Sequence, residues 1–206
     1  MNKPSPFLSK TEILDAAEQT LRRFGPEKTS VTDVAKLLGV SHGTLYRHFP
    51  SKAALREAVT ERWLEEKIIA PLAEVTTSES LCGEPLQQLH QYILKLVELK
   101  HFFAKEDPEM FKMYAAVTAE AAELIATHIE QIFAHMSRMI TRGIEEGSMR
   151  RSGETGDIAR AVFQATAMFH HPAHAYAWLG ADTMKHFNDL WTLIASGLAD
   201  PNYKEE

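Results

Sequence analysis

The 206-residue sequence predicts an all-α protein of about nine helices. Three observations lead there. Apolar residues recur three and four apart almost from end to end, which is the period of a helix with one buried face. Gly and Pro fall between these runs, where helices stop, as at Gly25-Pro26, Pro50, Asp107-Pro108 and Pro172. No stretch alternates polar and apolar residues as a half-buried strand does.

The first stretch, residues 1–8, reads as a loose arm with Pro4 and Pro6. Ser9 to Glu12 has the form of a capping box, and Ile13, Ala17, Leu21 and Phe24 follow at helical spacing, with Leu14 beside them. The second capping-box pattern, Ser30 to Asp33, opens a short helix with Val34 and Leu38 on one face. Ala35 is small, so a neighbouring helix can come close. Gly39 supplies the left-handed residue that ends a helix without a Cβ cost. Ser41 can cap another short helix, from which Leu45 and Phe49 point back inward. His42, Gly43, Thr44, Tyr46, Arg47 and His48 are left facing outward. Two short helices around a tight turn are a helix-turn-helix, whose second helix enters the major groove of DNA. Ser51 can cap a long fourth helix carrying Leu55, Val59, Trp63 and Leu64, with Lys52 beside exposed amides that suit a phosphate.

Charge agrees with this reading. From Val34 to Arg56 the charged residues are Lys36, Arg47, Lys52 and Arg56, with no acid between them. Residues 1–70 carry 11 Lys and Arg against 9 Asp and Glu, and residues 71–206 carry 11 against 19, so a local basic footprint sits on an acidic chain of net charge −6. Residues 9–63 resemble the DNA-binding domain of TetR-type transcriptional repressors. The residues that carry the resemblance are Ile13-Leu-Asp-Ala-Ala17, Phe24-Gly25, Thr29-Ser-Val31, Val34-Ala35, Gly39-Val-Ser41, Gly43-Thr-Leu-Tyr46, His48-Phe49 and Ser51-Lys52. His42 stands where that family often has Lys. The resemblance implies that His42, Gly43, Tyr46 and Arg47 face the DNA, that Arg47 reads guanine with its fork of donors, and that Thr44, Tyr46, His48 and Lys52 hold phosphates. Ser30, Thr32 and Ser41 are expected to share cap and phosphate duties.

Residues 76–85 are polar with Gly and Pro, and are expected to link a DNA-binding domain, 1–70, to a helical effector-binding and dimerisation domain, 71–206. Leu86, Leu89, Tyr92, Ile93, Leu96 and Val97 form the first stripe of the second domain. Asp107-Pro108 starts a helix that the pattern carries on, through an Ala-rich stretch and Leu124, as far as Ile140; Gly143 and Gly147 weaken its end. A further helix is expected from Asp157 to about Leu179, interrupted near Pro172, and a last one from Ala181-Asp182.

Specific operators usually need two half-sites matched to a two-fold protein. In TetR-like proteins the last two helices pack against their copies as a four-helix bundle. Ile158, Val162, Ala165 and Phe169, with Phe187, Leu190, Trp191 and Ile194, offer the apolar surface for such a homodimer, or for a self-contained core. Tyr92, Phe103, Met110, Met113, Tyr114, Val117, Phe133, Met136 and Met139 are rich in Met and aromatics, as are pockets for apolar small molecules. Such a stripe also makes an ordinary core, and the resemblance is what favours an effector pocket. His170 and His174 are four apart, as zinc ligands on a helix are, but Pro172 disturbs the geometry and no acid or Cys is near. Contact with an effector, a role at the dimer interface and metal ligation all stay open for them, with no metal or cofactor expected.

Composition excludes several classes. One cysteine, Cys82, permits no internal disulfide. No apolar run reaches the roughly 18 residues of a membrane span and no signal peptide opens the chain, so a cytoplasmic protein is expected. No G-x-S-x-G, H-E-x-x-H or phosphate-cradling Gly-rich loop offers a catalytic constellation. The expectation is a dimeric repressor that binds a palindromic double-stranded DNA operator and is released by a small-molecule effector. An activator, a ligand-independent regulator and a helical interaction module without DNA binding are the alternatives.

Overall fold

The computed structural model describes residues 8–76 and 83–202. The predicted N-terminal arm, most of the 76–85 linker and Cys82 lie outside the described residues. Eleven α-helices occur among those residues, nine of them seven residues or longer. The chain forms two compact units: residues 1–63 with 104–124, and residues 64–103 with 125–206.

The first unit is built from α1 (Lys10–Phe24), α2 (Val31–Leu38), α3 (His42–His48), α4 (Lys52–Leu64) and α7 (Pro108–Glu120). Cap chemistry fixes the helix starts. Ser9 and Glu12 form the first capping box, Ser30 and Asp33 the second, and the Ser41 and Ser51 hydroxyls accept from the N–H groups of Thr44 and Ala54. Gly39, at φ 64°, closes α2 with paired hydrogen bonds from its own N–H and that of Val40 to the carbonyls of Lys36 and Ala35. Ile13, Ala17, Val34, Ala35, Leu45, Val59 and Trp63 are buried in the core.

Helix α7 completes this unit. Met110, Met113, Tyr114 and Val117 are buried, with the Tyr114 ring 5.7 Å from that of Trp63. Arg22 clasps the Asp107 carboxylate through Nε and Nη2 at 2.9–3.2 Å. Gly25 has φ 78°, and a Cβ there would stand 2.7 Å from Glu109 Oε2. The Glu109 side chain can swing aside, so it is the positive φ that favours glycine at this position.

In the second unit a π-helical turn, Glu65–Ile69, runs into α5 (Ala70–Glu74). The larger pieces are α6 (Pro85–Glu106), α8 (Ala122–Glu145), α9 (Thr155–Ala165) and α11 (Thr183–Leu198). Their core contains Leu89, Tyr92, Ile93, Leu96, Met136, Ile140, Ala159 and Phe187. A lone bridge pairs Met149 with Ala199, and the Arg150 guanidinium donates to the carbonyls of Ala199 and Ser196. These are orphan acceptors at the end of α11, where a cation also suits the helix dipole.

Two expected helices are shorter than the sequence pattern suggests. The run from Pro108 to Ile140 is broken at Ala121, with φ −123° and ψ 69°. Ala119, Glu120 and Ala122 are exposed around it, so no large side chain anchors that turn in a core. The run from Asp157 ends at Ala165, ahead of Pro172; Thr166 turns its hydroxyl back onto the Val162 carbonyl, and α10 (Ala167–His170) and a 3-10 turn (Pro172–Ala177) follow.

Leu45 is the anchor of α3 and is 1% exposed. Leu45→Ala should cost about 2–5 kcal/mol, read as a lower denaturant midpoint by circular dichroism.

Candidate DNA-binding face and effector-binding core

Helix α3 has seven residues and inward anchors at Leu45 and, just beyond it, Phe49. Its outer face is set by local contacts. The Ser41 hydroxyl lies 2.9 Å from that of Thr44 while accepting from the Thr44 N–H. The His42 ring meets the Tyr46 ring edge-on at 4.6 Å. Arg47 Nη2 reaches the Thr44 hydroxyl at 3.4 Å. Tyr46 is 41% exposed, and His42, Gly43 and Arg47 are exposed beside it. A Cβ on Gly43 would meet Ser41 Oγ at 3.9 Å and nothing nearer, so the space above that backbone is open to a partner.

The flanking candidates differ in freedom. Lys52 and Thr32 are exposed, and His48 is half-buried. The Ser30 hydroxyl is engaged with Asp33 at both ends of its capping box. Two hydrogen bonds from Ser30 hold the Asp33 carboxyl below the usual carboxylate range. Arg56, part of the acid-free tract in sequence, is bonded by its Nη1 to Glu120 on α7 at 3.3 Å. Of the other cations in that tract, Lys36, Arg47 and Lys52 are exposed.

The nominated effector residues divide between the units. Met110, Met113, Tyr114 and Val117 belong to α7 and the first unit. Tyr92, Phe103, Phe133, Met136, His170 and His174 belong to the second. There the Tyr92 hydroxyl lies 2.9 Å from His135 Nδ1, and burial raises the phenol's pKa above its ordinary value. Phe133 meets Phe163 edge-on at 5.3 Å, and Phe163 lies 4.5 Å from the His170 ring.

His170 is buried, with Nε2 at 3.2 Å from both the Phe163 carbonyl and the Thr166 hydroxyl. A carbonyl only accepts, so Nε2 carries the proton. Desolvation, with the nearby Lys100 charge second, pushes the imidazole pKa down to about 3. Two residues absent from the sequence reading belong here. Lys100, buried on α6, continues the Leu89, Ile93, Leu96 stripe at helical spacing, a signal visible in the sequence. His101 donates from Nε2 to the Phe169 carbonyl at 2.9 Å and stacks on Trp178 at 4.6 Å.

Of the dimer nominees, Ile158, Val162, Phe169, Phe187 and Trp191 are covered within their own chain, Leu190 and Ile194 are half-buried and Ala165 is exposed. A groove between α9 and α11 is lined by Ile158, Ala161, Val162, Ala165, Leu193, Ile194 and Gly197. Leu193 is 72% exposed. Ala161, Leu193 and Gly197 were missed because they lie on the row next to the larger apolar one. Among the described residues, no helix is long and apolar enough to cross a membrane.

Comparison with known proteins covers both units. The family model described as bacterial regulatory proteins, tetR family, matches residues 13–59, and the one described as tetracyclin repressor-like, C-terminal domain, matches residues 85–191. The nucleoid occlusion factor SlmA of Shewanella halifaxensis is 26% identical over 201 residues, 94% of this chain and 97% of that one. Among solved structures, SmeT, the repressor of the Stenotrophomonas maltophilia multidrug efflux pump SmeDEF, aligns over 95% of this chain and 92% of its own, at 17% identity and a TM-score of 0.65. The regulator FadR of Bacillus subtilis, in complex with stearoyl-CoA, aligns over 92% and 99%, at 17% identity and a TM-score of 0.61.

As pH falls from 6.5 toward 3, unfolded chains take up a proton at His170 that the folded protein refuses, so stability drops across that window. His170→Phe should lose less melting temperature than the parent between pH 6.5 and pH 4. Equal losses would show that His170 is not held neutral.

Proposed function

Because the chain belongs to the TetR family of bacterial regulatory proteins, and is therefore a DNA-binding transcriptional regulator rather than an enzyme, we propose that it is a homodimeric repressor whose operator is released by a small-molecule effector. The observation that carries this is the outer face of α3, where Tyr46 and Arg47 stand exposed above a buried Leu45. His42, Gly43, Tyr46 and Arg47 are assigned to the base edges, with Arg47 forking onto guanine. Thr44, His48 and Lys52, assisted by Ser30, Thr32 and Ser41, are assigned to phosphates, which position the protein without specifying sequence.

In functional terms residues 1–70 read DNA, and residues 71–206 bind the effector and the second copy. The α9–α11 groove suits a four-helix bundle, because Ala161, Ala165 and Gly197 let a facing helix approach closely around Leu193. Tyr92, Phe103, Phe133, Met136, His170 and His174 supply the effector-facing side chains. Met110, Met113, Tyr114 and Val117 act at the other end of the switch. They hold α7 to the reading head, where Asp107 and Glu109 touch Arg22 and Gly25, so a displacement of α7 is passed to α1. An effector that favours the released state by about 1–3 kcal/mol weakens operator binding roughly 5–150-fold. The solved neighbours named as a repressor and as a stearoyl-CoA complex share this architecture and support the reading. A second reading, a nucleoid occlusion factor, is favoured by the near full-length likeness to the SlmA of Shewanella halifaxensis.

Selection from random duplex DNA with the purified protein should enrich a palindrome; failure to enrich any sequence at low and moderate salt counts against operator reading. On the selected site, Tyr46→Ala should abolish specific binding with the circular dichroism spectrum intact. Lys52→Ala should weaken binding to all sequences and lower the slope of log affinity against log salt by about one unit. Leu193→Glu should yield monomers by analytical ultracentrifugation, with loss of palindrome binding; dimers that persist would place the interface elsewhere.

A further inference from the structure

Three helices of the first unit are joined by a row of ion pairs that runs across α1, with Glu18 at its centre. Glu18 Oε2 lies 3.0 Å from Arg22 Nη1, one turn further along α1. Glu18 Oε1 accepts from Arg62 Nε on α4 at 3.0 Å, and from Arg62 Nη2 as well. The row continues at both ends. Arg22 grips the Asp107 carboxylate, just ahead of α7, through Nε and Nη2 at 2.9–3.2 Å. Arg62 Nη1 donates to Asp15, back on α1, at 2.7 Å. The Glu18 and Asp107 side chains are 13% and 17% exposed, so salt screens this row less than it does a surface pair. One carboxylate thus links a cation that reaches α7 to a cation carried by α4.

We propose that Glu18 is a positioning residue for DNA reading: it holds α4 and α7 in one register on α1, and so fixes the angle at which α3 is presented to the major groove. The proposal rests on the reading of α3 as the operator reader and adds a residue that acts through others. The path to α3 is short. Helix α1 packs on α2, and α2 packs on α3. The chain also leaves α3 at Phe49 and enters α4 at Lys52, so a displacement of α4 moves both the end of α3 and the lysine assigned to phosphate. Arg62 stands near the other end of α4, which makes the helix a lever of about 15 Å between Lys52 and the Glu18 carboxylate.

Stability is not what such a row supplies best. Ion pairs taken out of water recover little more than their desolvation, and an apolar set of the same shape often serves as well. What the row adds is mutual dependence. Both Glu18 oxygens are engaged, so neither arginine shifts without disturbing the other. Neutralising Glu18 leaves two guanidiniums beside one another, and like charges repel. The sign of the effect on binding is diagnostic. Glu18→Gln removes a negative charge from a protein that must approach a polyanion, so through the long-range field alone it would strengthen binding to every sequence. Loss of positioning has the opposite sign and acts on the operator alone, because base-edge contacts need α3 at one angle while backbone contacts carry no sequence information.

The test is a fluorescence-anisotropy titration of the full-length protein with the selected palindrome and with a scrambled duplex of equal length, at one salt concentration. Glu18→Gln should lose at least about 10-fold in affinity for the palindrome and none for the scrambled duplex. Glu61→Gln, the same loss of charge at an exposed position of α4, should lose affinity for neither. A Glu18→Gln protein that melts earlier yet keeps the parent's ratio of palindrome to scrambled affinity shows a merely structural carboxylate and overturns the proposal. An equal loss on both duplexes overturns it as well. If Glu18→Gln does not fold, Arg22→Lys decides: it keeps the charge on a side chain that is 42% exposed, but an ammonium cannot fork onto Asp107 while reaching Glu18. Its ratio should fall, and an unchanged ratio overturns the proposal while leaving the operator reading in place. If the parent itself prefers no palindrome, the operator reading fails and takes this proposal with it.

Discussion

A helix of seven residues does not hold itself together in water, since nucleation outweighs the few hydrogen bonds it can make. That constraint governs the exposed face of α3. Helix α3 exists because Leu45 and Phe49 are buried beneath it and because Ser41 satisfies an amide at its start. The place of every outward group follows from those anchors. Gly39 sets the angle at which α3 leaves α2, and Ala35 leaves the room in which it arrives. Apolar packing supplies the rigidity, and the polar residues use it.

The second unit works against a different cost. Its core carries two ionisable groups, Lys100 and His170, among apolar side chains. Lys100 and His170 are both held away from the protonation behaviour they show in water. Replacing such groups by well-packed apolar residues often leaves a protein as stable or more so. Their burial among Leu, Ile and Met side chains is a cost that the packing of the second unit offsets.

Helix boundaries were legible wherever they rest on local chemistry. Ser9 with Glu12, Ser30 with Asp33, Gly25 and Gly39 all act within a few residues of themselves, so the sequence window contains the cause. The outward face of α3 was legible for the same reason. The break at Ala121 was hidden because no glycine or proline marks it and its cause is an absence of anchoring side chains. The Met and aromatic stripe told which residues are buried but not in which unit, so Met110 and Met136 read as one set and lie in two. Arg56 read as part of a tract without acids; the acid that binds it, Glu120, is 64 residues away. Lys100 was legible in principle, as a cation on the buried stripe of α6, but long side chains at such positions usually snorkel to water.

The first unit is interrupted in the chain: its last helix is separated from the others by the segment 64–103. During synthesis the reading head therefore cannot close when residue 63 leaves the ribosome. Trp63 must wait for Tyr114, 51 residues later, and Arg22 for Asp107. At about 5–20 residues per second this is a delay of roughly 3–10 s. Through that interval the nascent chain has the whole helix-turn-helix but not the helix that completes its core. Completion of the first unit is thereby tied to production of the segment 64–103, and a chain whose translation stops before α7 lacks the helix that completes that core.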